Sequence, residues 1–220
     1  TGDHNTAVGS YTLDANTTAS NNTALGYGAL SSNTTGAQNV AVGAYALDAN
    51  TTAGSNTAVG VAALGANTTG ANNTAVGKDV LNANTTGARN TAIGQGVLYA
   101  NTTANDNTGV GQGALAANTT GAENVAIGVY SLDANTTGAK NVAVGKYSLS
   151  ANTTAGNNVA IGDQALLLNT TGTRNIAIGA YAGDGITTVS DCTAVGYSAL
   201  TAANTGTNNC AFGANSLQTN

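Results

Sequence analysis

NVAIGVYSLDANTTGAK, residues 124–140, is followed without a gap by NVAVGKYSLSANTTAGN, residues 141–157. The two stretches agree position by position over 17 residues, and the agreement extends along the chain. An Asn opens a copy at 5, 22, 39, 56, 73, 90, 107, 124, 141, 158, 175 and 209, and the one missing start is Cys192. Thirteen starts with no insertion between them mark a repeat architecture, in which one supersecondary unit recurs and neighbours stack. With that Asn as position 1, the unit reads N-[TV]-A-[VI]-G-x-x-a-L-x-A-N-T-T-[GA]-x-x.

Each column predicts a role. Position 5 is Gly9, Gly26, Gly43, Gly60, Gly77, Gly94, Gly111, Gly128, Gly145, Gly162, Gly179, Gly196 and Gly213, so it reads as a corner needing positive φ or a close backbone approach. Position 3 is Ala in every copy but one, Gly109, which suits either a tight axis between chains or a narrow coil interior. Position 9 supplies the core of the regular copies: Leu13, Leu30, Leu47, Leu64, Leu81, Leu98, Leu115, Leu132, Leu149 and Leu166. Aliphatics at 4 and 9 do not recur at helical spacing, and Gly, Asn and Thr are poor helix formers. Positions 2–4 and 7–9 therefore read as two short strands about the Gly corner, with a turn-rich connection after them. Val or Ile at 4 and Leu at 9 form the expected apolar ladders. The predicted fold is an all-β parallel solenoid (a β-roll) of one domain over 1–220, with regular coils over 5–174 and irregular coils over 175–220. Its coils stack about 4.8 Å apart.

Composition agrees with a thin core. Charged residues are 7%, aromatics 4%, and Pro, Met and Trp are absent from the 220 residues. A net charge of −5 with five Lys+Arg argues against a nucleic-acid partner, which needs clustered cations. No apolar run approaches the ~18 residues of a membrane span. The missing start Met and signal peptide suggest a mature or excerpted chain. Every charged residue and His4 falls at positions 6, 7, 10, 16 or 17, so the other columns read as packed or constrained.

N-[TV]-A-[VI]-G-x-x-[AS]-L, with NVAIGVYSLDA (124–134) and NVAVGKYSLSA (141–151) closest, resembles the head repeat of trimeric autotransporter adhesins (YadA-like heads). The TTGxxNTAVGxxAL form is similar to repeats of bacterial and phage tail-fibre proteins. The resemblance covers nearly the whole chain and implies a left-handed parallel β-roll, three chains packed about a common axis, and an extracellular adhesive role. This chain carries two to three extra residues per coil, in its Asn-Thr-Thr segment. Two large aliphatics per coil are a thin core for a lone chain, which favours a homotrimer.

Asn-Thr-Thr fills positions 12–14 in ten consecutive copies, at Asn16, Asn33, Asn50, Asn67, Asn84, Asn101, Asn118, Asn135, Asn152 and Asn169. Each is a glycosylation sequon, but stacked coils set these Asn about 4.8 Å apart, crowded for sugars. The competing reading is a structural ladder bonding coil to coil. Ice binding is a third reading, with Asn at 12 and Thr at 14 sharing an extended face. Cys192 and Cys210 lie in adjacent coils on strand positions of opposite facing, and read as small buried thiols rather than a disulfide.

No nucleophile–base pair, metal-ligand spacing or GGxGxD calcium motif occurs, so neither catalysis, a cofactor nor a metal is expected. YAGDGITTVSDC (181–192) loses the Leu and Asn of its copy, and TAANTGTNN (201–209) shifts its Asn by one. Neither end has a polar cap, so the chain is a segment of a longer array or stacks head to tail. The sequence thus points to a non-enzymatic shaft or head of an extracellular adhesive fibre, on a cell surface or a virion. The expected partners are further copies of itself and a host surface or glycan. Variable positions 6, 7 and 10, with Tyr11, Tyr27, Tyr45, Tyr99, Tyr130, Tyr147, Tyr181 and Tyr197, form the expected contact surface. A glycan-coated fibril subunit and an ice-binding solenoid are the alternatives.

Overall fold

The computed structural model describes residues 2–202 and 206–218, which fall into two compact units, Thr1–Asn107 and Thr108–Asn220. The first holds β1 (Thr6–Val8), β2 (Thr23–Leu25), β3 (Val40–Val42), β4 (Thr57–Val59), β5 (Thr74–Val76) and β6 (Thr91–Ile93). The second holds β7 (Thr108–Val110), β8 (Val125–Ile127), β9 (Val142–Val144), β10 (Val159–Ile161), β11 (Ile176–Ile178), β12 (Thr193–Val195) and β13 (Cys210–Phe212). Each unit is an all-β parallel solenoid of 17-residue coils, and the described residues contain no helix.

Register is set copy to copy. Within each unit every strand pairs in parallel with the equivalent residues of the next coil, as in Val40↔Thr57, Ala41↔Ala58 and Val42↔Val59. The Thr23 N–H donates forward to Asn39 O at 2.8 Å, and the Gly26 N–H donates back to Val8 O at 2.9 Å. Such rungs recur all around the coil, for example Leu30 N–H to Ala46 O at 3.0 Å and Thr34 N–H to Thr51 O at 2.9 Å. Pairing is therefore not confined to the strand, and backbone groups of the turns are satisfied by the neighbouring coil.

The expected second strand does not form. Positions 7–9 are consecutive tight turns: the Ala46 N–H donates to Gly43 O at 3.3 Å, and the Ser31 N–H to Gly28 O at 3.3 Å. The third residue of each turn has positive φ, +58° at Tyr45 and +53° at Leu30, the geometry of a type II turn. All the position 9 leucines share this left-handed conformation, from Leu13 (+52°) to Leu217 (+48°). A left-handed non-Gly residue costs about 1–2 kcal/mol. Full burial of a Leu side chain stabilises by about 1.5–3 kcal/mol, so burial offsets the strain. Leu30 through Leu166 in this column have no exposed surface, and Leu13 in the first coil retains 8%.

Position 4 also departs from expectation. Side chains alternate along a strand, and position 3 Ala points inward. The Val, Ile or Leu at position 4 consequently points out: Val8 is 55% exposed and Phe212 68%. A strand of three residues has one inward place, and in this narrow coil only Ala or Gly109 occupies it. The interior is built from Ala at 3, Leu at 9, Ala, Ser or Val at 8, and Asn at 1 and 12.

Gly at position 5 meets both requirements placed on it. Gly9 has φ +132° and Gly26 +128°, and a Cβ on either would lie 2.7 Å from the carbonyl oxygen of the next corner glycine. The same close approach recurs up each stack, so a side chain at the corner would hold adjacent coils apart.

Candidate functional site

The most organised chemistry in the molecule is inside the coil. The connection over positions 12–17 turns one carbonyl, that of position 15, toward the interior, away from the strand ladder. A buried carbonyl without a donor is costly. Both asparagines of the copy supply one: Asn22 Nδ2 donates to Gly36 O at 3.0 Å and Asn33 Nδ2 donates to the same oxygen at 2.9 Å. The arrangement repeats at Ala53, with Asn39 and Asn50, and at Gly138, with Asn124 and Asn135.

Both asparagine columns also bond coil to coil. Along position 12, Asn50 Nδ2 donates to Asn33 Oδ1 at 2.9 Å, Asn67 to Asn50 at 3.0 Å and Asn84 to Asn67 at 2.8 Å. In the second unit Asn135 donates to Asn118 at 2.8 Å and Asn152 to Asn135 at 2.8 Å. Position 1 adds the backbone: the Asn39 N–H donates to Asn22 Oδ1 at 2.9 Å and the Asn56 N–H to Asn39 Oδ1 at 3.0 Å, and at some rungs Nδ2 joins in, as from Asn141 to Asn124 Oδ1 at 3.1 Å. This second ladder was not anticipated. Its signal was present, since position 1 is as uniform and as uncharged as position 12.

Asn-Thr-Thr thus divides into three roles. The Asn closes the coil. The first Thr bonds coil to coil, with Thr34 Oγ1 donating to Thr51 O at 3.0 Å and Thr68 Oγ1 to Thr85 O at 3.0 Å. The second, from Thr18 to Thr171, is exposed. Asn33 through Asn169 in this column are fully buried, whereas Asn16 in the first coil is half-buried with an unpaired Oδ1. A glycan on a buried Nδ2 and this coil closure exclude each other. The expected Asn–Thr ice face is likewise not assembled, because position 12 lies inside and position 14 outside. The shifted Asn204 and the terminal Asn220 lie outside the described residues.

Outside the coil, positions 2 and 4 form two files along the exposed sheet face. In the first unit β3, β4 and β5 present Val40 and Val42, Thr57 and Val59, and Thr74 and Val76. No charged side chain occurs in either file. Cys210 belongs to this outer face at β13 and is exposed, whereas Cys192 is buried; both are free thiols. The buried-thiol expectation fails for Cys210 because position 2 faces outward.

A second surface lies just past the corner, at positions 6 and 7. Tyr11, Tyr27 and Tyr45 contact edge to face at centroid distances of 5.5 and 5.3 Å. Tyr130 and Tyr147 are parallel within 7° at 5.8 Å, and Tyr181 meets Tyr197 edge-on at 5.9 Å. The Lys146 ammonium sits 5.0 Å from the Tyr147 ring centroid. At position 17, Arg89 and Asp106 form a two-toothed ion pair, 2.7 and 2.9 Å, repeated by Arg174 and Asp191. The hydrogen bond from each Arg holds Asp106 and Asp191 below the ordinary carboxylate range.

Among the described residues no group of three or more His, Cys, Asp or Glu is placed to hold a metal ion, and no helix is long and apolar enough to cross a membrane. The class these features define is a parallel β-solenoid with an asparagine-laddered interior. No protein-family model, curated protein or solved structure matches the chain.

Proposed function

We propose that this chain is a non-enzymatic structural module of an extracellular adhesive fibre, on a cell or virion surface, and that it self-associates as a homotrimer through the sheet face of positions 2 and 4. The observation carrying the reading is the outward aliphatic file of each unit: Val8, Leu25 and Ile93 in the first and Ile127, Ile161 and Ile178 in the second are all exposed, with no charge beside them in the strand. A coil interior that admits only Ala at position 3 leaves these side chains no internal place. A second copy is the fitting occupant, because its files have the same period and match rung for rung under rotational symmetry. Burying about 25 cal/mol per Å² of apolar surface then drives association. The resemblance to adhesin head repeats supports the same reading.

Sedimentation velocity on the full chain tests it. A trimer mass is expected, and Ile127→Glu with Ile161→Glu reduces it to monomer with an unchanged far-ultraviolet spectrum. A native chain that sediments as a monodisperse monomer overturns the proposal. The same face gives a second reading a foothold, since Thr57, Thr74 and Thr91 stand in register beside Val59, Val76 and Ile93. A monomer that shows thermal hysteresis would favour that ice-ordering surface.

A further inference from the structure

The two surfaces differ in chemistry, and the one past the corner is not an aliphatic face. Along the second unit, position 7 carries Tyr130, Tyr147, Gln164 and Tyr181 in four consecutive coils, and Gln112 and Tyr197, both at position 6, adjoin the two ends of this file. Tyr occupies position 6 or 7 but never both in one copy, and Tyr27 and Tyr197 at position 6 are followed by Gly28 and Ser198. Each coil therefore adds at most one ring to the file, at ring spacings of 5.8 and 5.9 Å for the two pairs.

The rings are not closed on themselves. A centroid distance of 5.8 Å is wider than face contact, so Tyr130 and Tyr147 are offset rather than covered by one another. In an edge-on pair the ring that offers its edge keeps both faces clear of its partner; Tyr197 is 56% exposed, and Tyr130, Tyr147 and Tyr181 are half-buried. Polar groups interleave with the rings and are weakly engaged. Gln112 Nε2 reaches the Tyr130 hydroxyl at 3.4 Å, and Gln164 Nε2 reaches the Tyr181 hydroxyl at 3.5 Å and Asp163 Oδ2 at 3.4 Å.

We infer that this Tyr–Gln file is a binding platform for a linear, uncharged polysaccharide lying along the stack, with sugar rings against Tyr130, Tyr147, Tyr181 and Tyr197. The negative faces of aromatic rings attract the slightly positive C–H faces of a pyranose. Gln112 and Gln164 supply donors and acceptors for hydroxyl groups between the rings. A polymer is indicated because the platform is periodic and open, without the concave pocket that holds a small ligand. A polyanion is disfavoured, since Lys146 is the only cation at positions 6 and 7 of the second unit and Asp163 adds a negative charge. The inference rests on the fibre reading only in naming what such a fibre holds.

The test is saturation-transfer NMR and titration of the full chain with two linear neutral probes, cellohexaose and maltohexaose. At least one is expected to bind, with transfer to its ring protons. Tyr147→Ala with Tyr181→Ala is expected to weaken binding at least tenfold, the corresponding Phe pair to stay within threefold, and Tyr11→Ala in the first unit to change nothing. Binding of neither sugar overturns the inference, as does equal binding by a folded Ala pair or equal loss with Tyr11→Ala. Sedimentation of the same variants separates the two ideas: an unchanged mass with lost sugar binding concerns this platform alone, and a monomeric native chain that still binds sugar removes only the trimer.

Discussion

At Asn67 every polar atom of the side chain has a defined task. Nδ2 donates to Asn50 Oδ1 at 3.0 Å and to Gly70 O at 2.9 Å, and Oδ1 accepts from Asn84 Nδ2 at 2.8 Å. Asn67→Ala orphans Asn50 Oδ1 and a hydrogen of Asn84, and such groups cost about 1–3 kcal/mol when buried. That loss is expected in urea titration, while Thr69→Ala on the exposed position 14 stays within about 0.5 kcal/mol. Nδ2 of Asn50, Asn67, Asn84, Asn135 and Asn152 is committed twice, so after expression in a glycosylating host peptide mapping is expected to find each of these five without a sugar. Asp184 behaves in the opposite way. Burial raises its pKa above the ordinary carboxylate value, against lowering hydrogen bonds from the Gly185 and Asp184 backbone. A folded pKa above the unfolded one adds stability fully present below the unfolded value of about 4 and lost as pH rises through the folded value. Asp184→Asn is therefore expected to raise Tm at pH 7 and leave it unchanged near pH 3.

The irregular coil shows how elements tolerate change. Gly183 stands where other coils have Leu, and Ile186 stands where they have Asn, and Ile186 is fully buried. A Cβ at Gly183 would lie 3.1 Å from both Ile186 Cδ1 and Leu166 Cδ2, so Ile186 fills part of the space that the missing leucine vacates. The two substitutions are one repacking, in a coil that also ends the position 1 ladder on the Cys192 backbone. Gly183→Leu alone overpacks, at about 1–3 kcal/mol. Ile186→Asn alone removes apolar fill, and the double variant restores the regular copy; a double-mutant cycle is expected to show coupling above 1 kcal/mol. Element by element, the repeat period, the first strand and the Gly corner were legible, because thirteen copies restate them. The turns at 7–9 were not, because Tyr45 and Leu47 adopt left-handed backbone that their residue types disfavour, and only inter-coil bonding and burial make it worthwhile. Position 4 was misread for a related reason: a lone aliphatic column says apolar, not which way a three-residue strand faces.

At the scale of the molecule, a solenoid's stability is approximately a sum of coil terms and neighbour interfaces, so length is adjustable in whole coils and in nothing else. The side-chain ladders and the paired strand residues share one interval of 17: Asn67 to Asn50, Thr68 Oγ1 to Thr85 O, Ala58 beside Ala75. That common interval was visible in the spacing of Asn5, Asn22 and Asn39 alone, whereas the side chains that would meet a partner became visible only once the direction of each column was known. Excising residues 56–72 removes one whole copy and joins Ser55 to Asn73, leaving each ladder to close on an equivalent residue. The shortened chain is expected to keep its far-ultraviolet spectrum and a cooperative thermal transition. Excising 57–72 removes one residue fewer and leaves two asparagines in sequence, Asn56 and Asn73. A single-residue slip exchanges inward and outward faces along a strand. It would drive Ala toward solvent and Thr or Val into an interior sized for Ala, and it would part the Asn amides from their position 15 carbonyls. The second chain is expected to lose cooperativity or aggregate, and equal melting of the two would show that the interval does not hold the coils in register.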